Sequence, residues 1–238
     1  MYRSRSEHRM IPSLFRKTTL ALGAAAVMIA ASACRSSAQA PASGQPSATQ
    51  QGDLAAIARA KADSARYPYT TADIDFMSHM IGHHAQAIVM ARMAPTHDAS
   101  PSVRTLAERI INAQQDEIAT MQQWLGDRRQ PVPEAKPTGM KMMMNGVEHV
   151  MLMPGMLTDE QMKQLDAARG KQFDRLFLTF MIQHHRGAVS MVQELFGTGG
   201  AAQDEIVFKF ANDVSVDQST EIARMERMLA LLALDGRP

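Results

Sequence analysis

The sequence predicts an all-α protein, a four-helix bundle built from a duplicated helical hairpin. Three observations carry this: a core composition of helix formers, a motif repeated at constant spacing, and capping signals that mark four long helical segments. Of the 238 residues, 45% are hydrophobic and only 5% aromatic. The core therefore comes from Ala, Leu, Ile and Met, which favour helices. Methionine is the outlier, with 20 Met against 12 Phe, Tyr and Trp combined.

The repeat is explicit. Asp73, Phe76, Met80, Ile81, His83, His84, Ala87 and Met90 recur as Asp174, Phe177, Met181, Ile182, His184, His185, Ala188 and Met191, all at an offset of 101. Downstream, Gln114, Glu117, Ile118 and Met121 recur as Gln218, Glu221, Ile222 and Met225 at an offset of 104. The added three residues fit a longer loop in the second copy.

Local chemistry sets the boundaries. A short helix is expected over 53–66, broken at Tyr67-Pro68-Tyr69. Thr70 with Asp73 forms a capping box for the first long helix, and Pro95 lies past its end. Ser100-Pro101 opens the second, which Gly126 closes. Residues 70–126 thus form the first hairpin. Residues 127–170 form a Met-rich connection, read as a long loop to 157 and then a short helix that Thr158 and Gln161 cap. Residues 171–238 form the second hairpin, with helices expected over about 171–196 and 202–234.

Residues 1–34 read as an export signal. A basic segment is followed by a short apolar run that ends Ala31-Ser32-Ala33-Cys34, too short to span a bilayer. That ending resembles a bacterial lipobox, so Cys34 is the expected site of lipidation. The lone cysteine excludes an intrachain disulfide. Residues 35–69 hold a Ser-, Ala- and Gln-rich tether and the short helix. Without residues 1–33 the chain carries 20 basic and 23 acidic residues, a net charge of −3, which offers no footprint for nucleic acid.

The chemistry lies in the paired histidines. At 100° per residue, His83 and His84 flank the stripe formed by Met80 and Ala87, so neither faces solvent. The second copy places Met181, His184, His185, Ala188 and Met191 alike. If the two helices face each other, four imidazoles and several thioethers converge. Buried imidazoles need partners, and Asp73 and Asp174 are the nearby acids that could orient one ring each. A hydrogen-bonded structural cluster remains the competing reading.

His79 adds a His-x-x-x-His spacing with His83 in the first copy alone, its counterpart being Phe180. No Glu follows His79, so a zincin site is excluded. No Glu-x-x-His occurs on a long helix, which argues against a di-iron carboxylate centre. The connection contributes Met140, Met142, Met143, Met144, Met151, Met153, Met156 and Met162, with His149 among them. Thioethers are soft ligands that prefer Cu(I), and outside the cytoplasm they replace oxidisable thiols. The same segment could equally serve as an apolar lid. Met77 and Met93 could extend the sulfur set. His97 and His149 are expected to be solvated, as are Arg224, Glu226 and Arg227.

The paired MIxHHxxAxxM motifs, the downstream QxxEIxxM repeats and Met-Pro-Gly-Met-Leu-Thr at 153–158 resemble a bacterial family. It is the ferritin-like "domain of unknown function three-zero-five", which includes a periplasmic copper-binding metallochaperone. The resemblance covers about residues 70–234. It implies a four-helix bundle and, for some members, copper held by Met and His. Residue by residue it points to Met80, His83, His84, Met90, Met181, His184, His185 and Met191. Gln86 and Arg186 stand where small or apolar residues are common. The expectation is an envelope protein, periplasmic or on the outer-membrane side, anchored by lipid. It would sequester or hand on copper, Cu(I) first, without catalysis, to a transfer partner the sequence does not name. The other reading is a structural or interaction module.

Overall fold

The computed structural model describes residues 48–66 and 68–234, apart from the side chains of residues 48, 63–66, 141, 142, 144, 148 and 149. The export segment 1–34, Cys34 and the tether before residue 48 lie outside the described residues. Helix α1 (Ala48–Arg66) starts earlier than the sequence signals placed it, because Ala48, Gln50 and Gln51 are good helix formers that extend it backwards. No described helix is long and apolar enough to cross a membrane.

Side-chain caps open three of the four long helices, α5 starting without one. Thr70 and Asp73 form the capping box of α2 (Thr71–Arg92), which ends in a 3-10 turn at Ala94–Thr96. Ser100 caps α3 (Pro101–Asp127), with Pro101 in the first turn. Thr158 and Gln161 form a second capping box on the short α4 (Asp159–Ala167). Helix α5 (Gly170–Gly197) follows directly. In α6 (Glu205–Leu234) the first turn is held by Asp204, whose Oδ1 accepts from the amides of Ile206 and Val207 at 3.1 and 3.2 Å. Asp204 also pairs with the buried Arg128 at 2.5 Å and accepts from Trp124 Nε1, which ties the end of α3 to the start of α6.

Within each hairpin the helices pack closely, α2 on α3 and α5 on α6, and α2 packs on α5 across the repeat. Helices α3 and α6 are not closely packed on each other. The acids at the start of α2 and α5 clamp the opposite hairpin. Asp73 Oδ1 accepts from the Ala202 amide at 2.7 Å, in the turn before α6. Asp174 accepts from the Ser100 amide at 3.1 Å, in the turn before α3. This corrects the expectation that Asp73 and Asp174 orient imidazoles; backbone amides at the turns take their lone pairs instead.

The connection is not all loop. Residues β1 (Met140–Met144) and β2 (Val147–Met151) form an antiparallel hairpin, with Met140 opposite Met151 and Met144 opposite Val147. Asn145 and Gly146, both at positive φ, make its two-residue turn. The bundle remains all-α apart from this ribbon.

After β2, residues 153–157 form a strap across α2 and α5. Met153, Met156 and Leu157 are buried. Gln86 on α2 grips Leu157 through both amide atoms, at 2.7 and 3.0 Å. Gln183 on α5 donates to the Gly155 carbonyl at 3.3 Å. Gly187, the repeat counterpart of Gln86, lets the strap touch the α5 backbone: a Cβ there would lie 1.9 Å from the Pro154 carbonyl oxygen. Substituting Ala for Gly187 is therefore expected to destabilise the protein by about 3 kcal/mol, the cost of overpacking a filled contact. Urea denaturation should show a lower midpoint at unchanged m-value, and an unshifted midpoint would contradict the close approach.

Candidate metal centre

Two apolar clusters fill the bundle, stacked along its length. Phe76 to Ile81 of α2, Ile118 to Leu125 of α3, Ala188 to Leu195 of α5 and Val207 to Val214 of α6 supply the first. Met90 and Ala91 of α2, Val103 to Ile110 of α3, Phe173 to Ile182 of α5 and Met225 of α6 supply the second. Between them lies a polar layer of eight side chains: His83, His84, Gln114, Glu117, His184, His185, Gln218 and Glu221. They form four repeat-related pairs.

All four histidines are fully buried. The His83 and His184 rings meet across the repeat, with centroids 3.9 Å apart and planes inclined by 37°. His84 and His185 lie farther out, their centroids 6.4 and 6.3 Å from His83 and His184 respectively. The outer rings are held by carboxylates of the partner helix in each hairpin. His185 Nε2 lies 2.7 Å from Glu221 Oε2 as an aligned hydrogen bond. His84 Nε2 lies 2.8 Å from Glu117 Oε2, close but off the N–H direction. The histidine partners are thus Glu117 and Glu221. Their signal was the QxxEIxxM repeat, which showed duplication without revealing that its Glu faces the imidazole layer.

His83 donates through Nε2 to the Pro154 carbonyl at 2.9 Å. A carbonyl oxygen only accepts, so the proton of the neutral ring sits on Nε2 and Nδ1 keeps its lone pair. Nδ1 has no aligned partner in any of the four rings, and neither nitrogen of His184 has one. Burial, then the neighbouring His84, pushes the His83 pKa down to about 3. Burial, then His83, holds His184 well below the usual histidine range. Both rings are neutral at pH 7, the state in which imidazole binds metal.

The methionines of the paired motifs are divided between the two apolar clusters. Met80 and Met191 belong to the first cluster, Met90 and Met181 to the second, and all four are buried. Met77 is also buried, whereas Met93 and Met162 are half-buried. Among the described residues, no three His, Cys, Asp or Glu side chains are arranged to hold a metal ion. The layer therefore offers pairs of imidazoles, to which only thioethers could add.

The remaining candidates divide. His79 is half-buried and, instead of joining the layer, lines a cavity of about 230 Å³ with Met140, Met153, Met191, Asp75 and Glu194. Met153 and Met156 pack in the first cluster, as the lid reading expected. Met143 and Met151 are exposed on the hairpin and are not brought to the histidines. The side chains of Met142, Met144 and His149 lie outside the described residues. His97, expected in solvent, is buried: its Nε2 lies 2.9 Å from the Asp166 carbonyl, joining the α2–α3 turn to the end of α4. Gln86 is occupied by the strap, and Arg186 pairs with Glu226 on the surface at 2.8 Å.

The family described as "Domain of unknown function (DUF305)" matches residues 73–229, the span of the four long helices and their connection. The chain belongs to the DUF305 family. Among solved structures, a DUF305 protein from Streptomyces coelicolor is 30% identical at a TM-score of 0.56, over 68% of this chain and 94% of that one. A DUF305 fragment from Deinococcus radiodurans is 28% identical at a TM-score of 0.56, over 68% and 97%. CopM in its Cu(II)-bound form is 30% identical at a TM-score of 0.51, over 66% and 95%. None of the curated proteins compared matches the chain. These DUF305 structures agree with the helical bundle found here.

The neutral imidazoles set a pH dependence. An unfolded histidine binds a proton below about pH 6.5, whereas folded His83 resists protonation down to about 3. Stability is therefore full above pH 6.5 and falls as the pH drops through that window. Urea unfolding of the metal-free DUF305 domain should lose about 2 kcal/mol between pH 7 and pH 5 on account of His83, with His184 adding in the same direction. Stability that is flat across this interval would show the rings are not buried as neutral groups.

Proposed function

We propose that this chain is a cell-envelope copper-binding protein that sequesters or hands on Cu(I) through imidazole and thioether ligands, without turnover. The observation that supports it most is the contact of His83 and His184. These are two neutral, fully buried rings 3.9 Å apart whose Nδ1 atoms lack partners. A buried polar atom left unsatisfied costs about 1–3 kcal/mol, and a bound metal would remove that cost. Two imidazoles flanked by buried thioethers form a soft donor set, which suits Cu(I). The likeness to CopM, solved with Cu(II), supports copper as the metal. The export segment, with Cys34 at its end, supports an envelope location with a lipid anchor and a membrane contact.

A structural module is the second reading. It is favoured by the bonds from His83 to Pro154 and from His185 to Glu221, which fix two rings without any metal.

Titration with Cu(I) against a competing chelator separates the two. Replacing Met80, Met90, Met181 and Met191 by Leu changes little volume. It should weaken Cu(I) affinity by at least about 10-fold, the scale seen even for an outer partner of a metal site. Adding His83→Gln and His184→Gln should remove stoichiometric uptake. Uptake unchanged in both variants would remove these residues as ligands, and no uptake by the unaltered chain would favour the structural reading.

A further inference from the structure

The side of the bundle where α3 and α6 stay apart carries chemistry that the imidazole layer does not use. Two adjoining cavities lie there, of about 560 and 220 Å³, and Ala113, Glu117 and Asp217 line both. Along the larger one, α3 presents Ala113, Asp116, Glu117 and Thr120, and α6 presents Lys209, Phe210, Asp213 and Asp217. Steps of three and four residues keep each set on one face of its helix, so a groove runs for about two turns. Phe210 and Ile206 give it an apolar stretch, with Ile206 43% exposed. Asp116, Asp213 and Asp217 are exposed along its edges.

The smaller cavity is lined by Gln114 and Gln218, which are 2% and 3% exposed. Among the described residues, neither the amide oxygen nor the amide nitrogen of either has a partner. Buried amides almost always find partners, so a repeat-related pair without them in one cavity points to a guest. Glu117 and Glu221 line the same cavity, each with Oε2 turned to an imidazole, and a carboxylate has a second oxygen to offer. These acceptors spread along a cleft: among the described residues, no three acidic or His side chains gather around one ion. Such an arrangement fits an extended cation, whose several N–H groups reach separate acceptors, and not a point charge.

We propose that this cleft docks a basic amphipathic helix of a partner protein, with an arginine of that helix entering the smaller cavity. A guanidinium is planar and presents five N–H donors, enough to serve the Gln114 and Gln218 carbonyls and the two glutamates together. The groove supplies the complementary charge. Asp116, Glu205, Asp213 and Asp217 line it with Lys209, which is already paired with Asp213. Arg109, itself exposed, is the basic residue of the smaller cavity. An acidic groove with an apolar stretch selects a basic helix that carries aliphatic side chains on the same face. This surface goes beyond the copper reading, since no metal takes part.

The probe is a synthetic helical peptide with Leu and Ala on one face and one central arginine among lysines. Fluorescence anisotropy would follow its binding to the metal-free full chain. It should bind, and binding should weaken as salt rises. Lysine in place of the arginine keeps the charge and should cost about 10-fold in affinity. Gln114→Leu with Gln218→Leu is close in size and removes orphaned buried amides, so the unfolding midpoint should not fall. Affinity for the arginine peptide should drop by about 10-fold or more. Asp116→Asn, Asp213→Asn and Asp217→Asn together alter exposed residues and should flatten the salt dependence. An arginine peptide that does not bind, binds no better than its lysine version, or binds the Leu variant undiminished overturns the proposal. Displacement of the peptide by an equal concentration of free arginine also overturns it, by making the cleft a small-molecule pocket.

Discussion

A layer of four imidazoles sealed between two apolar clusters is the constraint on which the rest of this structure depends. Each ring takes two polar nitrogens out of water, and each nitrogen must be met or left wanting. The chain meets some of them with Glu221 and the Pro154 carbonyl, sets Glu117 close to His84, and leaves every Nδ1 open. Methionine suits the surroundings. It is long and pliable enough to fill space around flat rings, and its sulfur is itself a weak hydrogen-bond acceptor. The unusual balance of Met over aromatics thus follows from what the middle of the bundle contains.

The interior is nearly symmetric, but the connection cannot be. One strap crosses two equivalent helices, so the repeat breaks where the strap touches it. At one pair of matching positions the chain places Gln86, which grips Leu157, and Gly187, which yields to Pro154. At another it places Gly82, against which the Thr138 carbonyl packs, and Gln183, which donates to Gly155. The histidines inherit the break: His83 donates to the strap at Pro154, whereas His184 sits against His83 across the repeat. Two rings of common ancestry thereby keep different partners.

Much of this was legible from the residues. Capping boxes at Thr70 and Thr158 fixed helix starts because they are local, and local hydrogen bonds survive in any tertiary setting. Inward-facing histidines followed from helical periodicity. The ring partners did not, because they come from helices more than 30 residues away, where spacing carries no information. Asp73 and Asp174 sit close to the histidines in sequence and yet point to the ends of the bundle. The hairpin has its signal in Asn145-Gly146, a two-residue turn between two Met- and Val-rich runs. The burial of His97 is invisible in its loop sequence because it depends on the end of α4, whose Asp166 carbonyl meets its Nε2.

The reciprocal aspartate clamps have a consequence for how the chain reaches this state. Asp73 completes a turn 129 residues away in the second hairpin, and Asp174 completes one 74 residues back in the first. Neither hairpin can finish its own bend without the other's carboxylate. Two helical pairs that look like separable halves are thus bound into one all-or-none transition, with long-range closure as its slow event.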